Sequence, residues 1–228
     1  MVPSFVVYSS WVNGRQRYIR QAFASILFYI IRDTTLSFPS HTTMSTKPET
    51  DLQTVLDSEI KEWHFHIYFH QNNAAEHQAA LELRDAVLRL RQDGAFVAVP
   101  LFRVNMDPMG PHPVGSYEIW VPSETFASVF SYLCMNRGRL SILVHPLTRE
   151  ELRDHEIRNA WIGPSFPLNL ANLPIKSDEI PLQYPSLKLG YSSTAHKMSL
   201  EERRKLGDDI EAVLRGEKEA ARAPHRDA

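Results

Sequence analysis

The chain has 228 residues, of which 43% are hydrophobic and 23% are charged, enough apolar material for one globular domain with additional segments. Lys and Arg number 25 and Asp and Glu number 27, a near balance that argues against nucleic acid or an anionic membrane as the main partner. The single cysteine, Cys134, excludes an internal disulfide and a zinc site built on cysteines, so we expect a reducing compartment.

Residues 1–57 are predicted to form an N-terminal extension and a polar linker. The longest apolar run, residues 23–31, lies between two arginines and is shorter than the roughly 18–20 residues that span a bilayer. A mitochondrial targeting helix, a poor secretory signal and translated sequence ahead of a start at Met44 all fit this segment. We predict a cytoplasmic protein, with mitochondrial targeting by residues 1–43 as the alternative.

The first ordered element is predicted over residues 62–70, EWHFHIYFH, where side chains alternate with the period of a β-strand. One face of this strand is apolar and typical of a core: Phe65, Ile67 and Phe69. The opposite face carries polar rings: His64, His66, Tyr68 and His70. Imidazoles pack poorly in a sheet unless something binds them, so the second face is a candidate functional surface.

Five further elements follow in chain order. They are a helix that ends at Gly94, a strand over residues 95–105 with Pro100 at an edge or bulge, a strand over 116–122, a helix over 123–138 and a strand over 139–146. The order βαββαβ predicts an α+β, ferredoxin-like domain, a split βαβ with a four-stranded antiparallel sheet and two helices on one face. We place this domain at residues 58–175. An irregular segment and a charged helix, which opens with a capping box of Ser199 and Glu202, occupy residues 176–228.

The predicted topology determines which histidines can meet. The first strand lies between the third and the fourth and is antiparallel to both, so His64 and His66 are neighbours of His145. His155 follows His145 after a short loop. His112 can join them only if its proline-rich loop folds back over the open face of the sheet.

Several imidazoles with one carboxylate are typical of a non-heme Fe(II) centre that keeps positions open for substrate and O2. Glu118, in the third strand, is expected to lie near His66 on this face. A three-histidine zinc site would use similar ligands, and a hydrogen-bonded histidine pair in a sheet needs no metal. The residue types therefore leave open an iron dioxygenase, a zinc hydrolase or lyase, and a non-catalytic oligomerisation or binding module.

Four motifs between Trp63 and Pro174 carry a family resemblance: WHFHIYF, GPHPVGSYEIWVP, LSILVHPLTREELRDHEIRNAWIG and PLNLANLP. In this order they resemble the fungal DOPA 4,5-dioxygenase family. The resemblance implies a ferredoxin-like domain, often dimeric, that opens the ring of a catechol with Fe(II) and O2 in the biosynthesis of pigment precursors. It therefore implies a small-molecule catechol and O2 as partners and a homodimer as the assembly.

The motif positions and the predicted convergence lead to a set of expected roles. The expected Fe(II) ligands are His64, His66 and His145, with His112 as the alternative to His64. The expected catalytic groups are His112, His155 and Glu118. The expected substrate contacts are Tyr68, Trp120 and Arg158, the last of which would pair with the carboxylate of an amino-acid-like catechol. Two positions depart from the family pattern, Arg149 at a common glycine and Arg158 at a histidine of bacterial relatives, and both bear on substrate identity more than on chemistry.

Overall fold

The structure, a computed structural model, describes residues 47–223. The predicted targeting segment and the alternative start at Met44 lie outside the described residues. The chain divides after Asp51, and the second unit, which begins at Leu52, carries everything described below. Within residues 47–223, no helix combines the length and the hydropathy that a membrane crossing requires.

A single antiparallel sheet of five strands organises this unit, in the order β2-β3-β1-β4-β5. The strands are β1 Glu62–Phe69, β2 Val99–Pro100, β3 Gly115–Pro122, β4 Ser141–Pro146 and β5 Ala160–Ile162. The helices are α1 Leu52–Asp57, α2 Ala74–Gln92, α3 Phe126–Asn136, α4 Glu151–Glu156 and α5 Leu200–Leu214. Short 3-10 turns occupy Ser123–Thr125, Leu170–Asn172, Pro185–Leu187 and Gly190–Ser192.

The α+β class is confirmed, but the prediction of a four-stranded sheet was wrong by one strand. The additional strand, β5, pairs with β4 through only three residues, and a segment this short gives no detectable alternation in the sequence. The predicted strand over residues 95–105 shrinks to Val99–Pro100 at the edge of the sheet. An edge position suits Pro100 because proline has no N–H to donate to a second neighbouring strand.

One face of the sheet packs against α2 and α3. The side chains of this core come from β1, β3, β4, α2 and α3, and include Phe65, Ile67, Tyr117, Ile119, Val129, Leu133, Ile142 and Val144. The predicted apolar face of β1 is therefore buried as expected, which stabilises the register of the strand. The alternation of the pleat then sends the histidines of β1 to the other face.

The C-terminal helix α5 is held near the start of β1 by an ion pair. Its predicted capping box is confirmed, because the Ser199 hydroxyl accepts from Glu202 N–H and the Glu202 carboxylate accepts from Ser199 N–H. Arg203 donates to Glu59 Oε1 at 2.5 Å. No residue of α5 is buried. The helix therefore depends on its cap and on this pair.

We expect the anchoring of α5 to weaken under acid. Hydrogen bonds from Arg203 and then Lys61 lower the pKa of Glu59 from 4.5 to about 2. Because the folded pKa is depressed, the stabilisation is complete above pH 4.5 and is lost as the pH falls toward 2. Solvent screening keeps the effect modest, since Glu59 is about a third exposed.

Amide exchange of α5 should accelerate over this pH window in the native chain. The Arg203→Gln variant should exchange faster at neutral pH and show little further change; an identical pH profile would contradict the assignment.

Candidate metal centre

The face of the sheet opposite the helices carries the histidines of β1 and β4 in register. His64 of β1 pairs with His145 of β4, and His66 pairs with Glu118 of β3. The topology predicted these neighbours, and the structure confirms that they are adjacent.

The proline-rich loop before β3 folds back over this face and brings in His112. The loop closes on itself through paired backbone hydrogen bonds between Met109 and His112, both of 3.0 Å. It is also held by Asn169, whose N–H donates to the Pro111 carbonyl at 2.9 Å. The His112 ring then lies 4.1 Å from the His66 ring, measured between centroids.

Helix α4 brings the fifth imidazole, His155, to the cluster. Asp154 is 1% exposed and accepts from the Thr148 N–H and hydroxyl, which fixes the helix against the turn that follows β4. His155 consequently lies against His145, with ring centroids 3.9 Å apart.

Two overlapping trios of imidazoles could hold a metal ion, and His66 belongs to both. The first trio is His64, His66 and His145, and the second is His66, His112 and His155. Within each trio, the candidate ligand atoms lie within 4.8 Å of one another. The predicted ligands and two of the predicted catalytic groups are therefore brought together; which of them bind metal and which transfer protons stays a prediction.

Backbone carbonyls hold two of the imidazoles in one tautomer. His145 Nδ1 lies 2.9 Å from the Pro146 carbonyl, and His155 Nδ1 lies 2.9 Å from the Glu151 carbonyl. A carbonyl only accepts, so each Nδ1 carries the proton and each Nε2 has a free lone pair. A partner of this kind usually orients a metal-binding histidine.

The cluster is electrostatically suited to bind a cation. Burial, followed by the neighbouring imidazoles, lowers the pKa of His66 and of His145 well below 6.5. Burial also lowers the pKa of His112 to about 4. These rings are therefore neutral at pH 7, and a neutral imidazole is the form that ligates a metal.

The donor set fits a metal ion in one further respect. His66 Nε2 and His145 Nε2 are 3.0 Å apart. Two ring nitrogens that each lie roughly 2.0–2.1 Å from one ion are separated by about 3 Å, so this spacing matches adjacent ligands of a single ion. Without an ion, the same two atoms can share one hydrogen bond.

A cavity of about 210 Å³ opens above the cluster. Its lining includes all five imidazoles, the carboxylates of Glu118, Glu151 and Asp154, and the apolar groups of Pro111, Leu147, Leu173 and Pro181. Among the described residues, the lining includes no lysine and no arginine. The volume is below the roughly 300–1,000 Å³ of pockets for drug-sized ligands, so the site suits a small molecule.

The three expected substrate contacts lie outside this lining. Tyr68 is 1% exposed, and its ring packs on Phe166. Its hydroxyl forms a hydrogen bond of 2.6 Å with His112 Nδ1. Trp120 is fully buried and its indole N–H donates to Glu62 at 2.9 Å. Neither side chain lines the cavity, and their contact with a substrate stays a prediction.

Arg158 is committed to acidic neighbours instead of the cavity. Its guanidinium donates to Asp154 Oδ1 at 3.0 Å and also pairs with Glu150. It lines a separate cavity of about 670 Å³, which also borders Trp63 and Arg149. The expected pairing of Arg158 with a substrate carboxylate is therefore not supported by its location.

One polar residue at the cluster was missed by sequence reasoning. Gln183 lies in the irregular C-terminal segment and its side chain contacts both His64 and Glu118. The surrounding sequence has no periodicity that would assign a face to it. Position 183 is also outside the motifs that carry the resemblance.

The fold and the cluster define the class as an α+β protein with a histidine-rich candidate metal site. Residues 63–172 match the model of the Dopa 4,5-dioxygenase family. Over 126 residues the chain is 37% identical to an uncharacterized 21.2 kDa protein of Botryotinia fuckeliana, across 51% of this chain and 66% of that protein. A solved structure from Nostoc punctiforme, described as "a putative dioxygenase", is 32% identical across 49% of this chain and 89% of that chain, with a TM-score of 0.43.

The similarity to the Dopa 4,5-dioxygenase family extends over residues 63–172, just under half of the chain. This confirms the resemblance that the four motifs indicated. The alignment spans just under two thirds of the length of the Botryotinia relative.

Proposed function

We propose that this chain is an extradiol dioxygenase that opens the ring of a catechol with Fe(II) and O2. The observation that supports this most is the convergence of five buried or half-buried imidazoles on one small cavity, within a domain of a dioxygenase family. The ferredoxin-like classification belongs to the same proposal, supported by the order β2-β3-β1-β4 within the sheet.

His66, His145 and His64 are the proposed ligands of the ion. His66 and His145 supply the two Nε2 atoms that lie 3.0 Å apart, and the Pro146 carbonyl fixes the tautomer of His145. Three imidazoles leave coordination positions open for a catechol and O2. When bound, a ferrous ion would supply the redox chemistry between the two substrates.

The acidic lining points to the class of catechol. Glu118 and Glu151 lie on the cavity, and the described lining includes no cationic side chain. A catechol that carries an amine, such as DOPA, would find carboxylates to pair with, whereas a catechol with only a carboxylate would be repelled. The small volume also favours a single ring over a fused system.

His112 and His155 are the proposed proton-transfer groups. His155 presents a free Nε2 lone pair, because its Nδ1 proton is held by the Glu151 carbonyl. His112 is held by the Tyr68 hydroxyl at 2.6 Å, which orients its ring over His66. One of them would take a proton from the catechol hydroxyl and return it to the ring-opened product, in which both atoms of O2 are retained.

The test is O2 uptake by the purified full chain after loading with Fe(II). With DOPA and other amine-bearing catechols we expect uptake of one O2 per catechol and a yellow ring-opened product. A catechol with only a carboxylate should have a kcat/KM at least about 10-fold lower, equivalent to about 1.4 kcal/mol. The homodimer predicted from the sequence can be checked on the same material by its mass in solution, and the cytoplasmic location stays a prediction.

Each outcome of this assay separates the proposal from its rivals. Turnover that requires Zn(II) and proceeds without O2 would indicate a hydrolase or lyase. A chain that retains no metal at neutral pH, while it remains folded, would indicate a non-catalytic module. An iron-loaded chain that consumes no O2 with any catechol would also contradict the proposal.

A further inference from the structure

Gln183 connects the C-terminal segment to the histidine cluster through two hydrogen bonds. Its Oε1 lies 2.7 Å from His64 Nε2, and its Nε2 lies 2.9 Å from Glu118 Oε1. The residue follows the family-matched segment, which ends at residue 172. This part of the site is therefore contributed by sequence beyond the family core.

The two hydrogen bonds together determine the direction of every proton in the group. The Glu118 carboxylate only accepts, so the Gln183 amide must present its NH2 to Glu118. The amide oxygen of Gln183 then faces His64 and can only accept. His64 Nε2 must therefore be the donor, which makes neutral His64 the Nε2–H tautomer.

This tautomer has a consequence for the other ring nitrogen of His64. Nδ1 is left with its lone pair and is the one His64 atom able to ligate a metal ion. It lies 3.3 Å from Glu118 Oε2, so a bare imidazole nitrogen and a carboxylate oxygen face the same small volume. Such a pair is unfavourable unless a cation or a proton is shared between them.

The segment that carries Gln183 is anchored on both sides of it. Leu173 and Pro181 line the cavity, and the Tyr184 ring meets the edge of Trp120 with centroids 5.2 Å apart. Farther along, Tyr191 N–H donates to the buried Glu62 carboxylate at 3.1 Å. Gln183 is therefore held against the cluster by packing that does not involve its own amide.

We propose that Gln183 is a positioning residue, which selects the Nε2–H tautomer of His64 and keeps His64 Nδ1 and Glu118 available together. In the proposed dioxygenase, His64 Nδ1 would be a metal-binding atom with Glu118 beside it. The metal-binding part of the inference rests on that function, whereas the tautomer itself does not.

The tautomer can be measured in the metal-free full chain by long-range ¹H–¹⁵N correlation of the histidine rings at a pH where His64 is neutral. We expect Nε2–H in the native chain. In Gln183→Leu the acceptor for Nε2–H is gone and Glu118 Oε2 remains beside Nδ1, so the proton should move to Nδ1. The isosteric Gln183→Glu retains an acceptor for His64 and should retain Nε2–H.

A second measurement uses the metal-loaded chain. Loss of an outer partner of a metal ligand typically costs about 10–100-fold, so we expect Gln183→Leu to reduce metal affinity in a chelator competition by this factor. The control is Gln78→Leu, the same substitution at an exposed site on α2, which should leave metal affinity and the His64 spectrum unchanged.

The inference is overturned if neutral His64 in the native chain is the Nδ1–H tautomer. It is equally overturned if Gln183→Leu leaves both the His64 spectrum and metal affinity as in the native chain. A failure of the dioxygenase proposal alone would appear differently, as a normal tautomer result with no O2 uptake.

Discussion

Replacement of His66 by alanine should abolish metal retention and activity. His66 is the one imidazole shared by both candidate trios, and it lies at the centre of the face with 4% exposure. The variant therefore leaves neither trio complete, whichever of them holds the ion. We expect metal affinity to fall by more than the 10–100-fold typical for loss of an outer partner, and kcat to fall below detection. Metal content per chain after dialysis and O2 uptake measure the two effects.

Single replacements outside the overlap discriminate between the two trios. If the first trio binds metal, His64→Ala should lose metal while His112→Ala retains it and loses rate. His70→Ala is the matched control, because His70 is exposed at the end of β1 and pairs with Glu76 instead of the cluster. Retention of full metal content and activity by His66→Ala would show that the centre is elsewhere.

The centre of the site was predictable because it depends on strand alternation and topology. The alternation in β1 separates Phe65 and Ile67 from His64 and His66, and the structure confirms both faces. The pairing of His64 with His145 follows from the placement of β1 between β3 and β4. The first inference needs only the two-residue alternation of a strand, and the second needs only the order of the strands in the sheet. Both can be read from the sequence.

The surroundings of the site were less predictable because they depend on irregular backbone. Nothing in the local sequence around Gln183 or His112 indicates how far a proline-rich segment folds back over a sheet. Arg158 is a different case, since a local signal was present. Asp154 lies in α4, four residues before Arg158, which follows the end of that helix. An acidic and a basic residue at this spacing indicate an internal ion pair that competes with a substrate.

The buried Glu62 explains how this irregular segment is attached to the sheet. The carboxylate is 1% exposed and accepts from the Trp120 indole at 2.9 Å and from the Tyr191 N–H at 3.1 Å. Gly190 approaches it closely, with a φ of +62°, and a Cβ at that position would lie 2.4 Å from Glu62 Cγ. A side chain other than glycine would be strained there and would displace the carboxylate.

Glu62→Leu should consequently be among the most destabilising single substitutions in the domain. It leaves the buried indole N–H of Trp120 and the half-buried N–H of Tyr191 without an acceptor. Each unsatisfied buried donor costs about 1–3 kcal/mol. We expect the free energy of unfolding in urea to fall by about 2–5 kcal/mol, with Glu62→Gln intermediate because one oxygen remains. The exposed Glu82→Leu on α2 should change it by no more than about 0.5 kcal/mol. A loss of less than about 1 kcal/mol for Glu62→Leu would mean that the two donors find other acceptors, and that the segment carrying Gln183 is not held through this carboxylate.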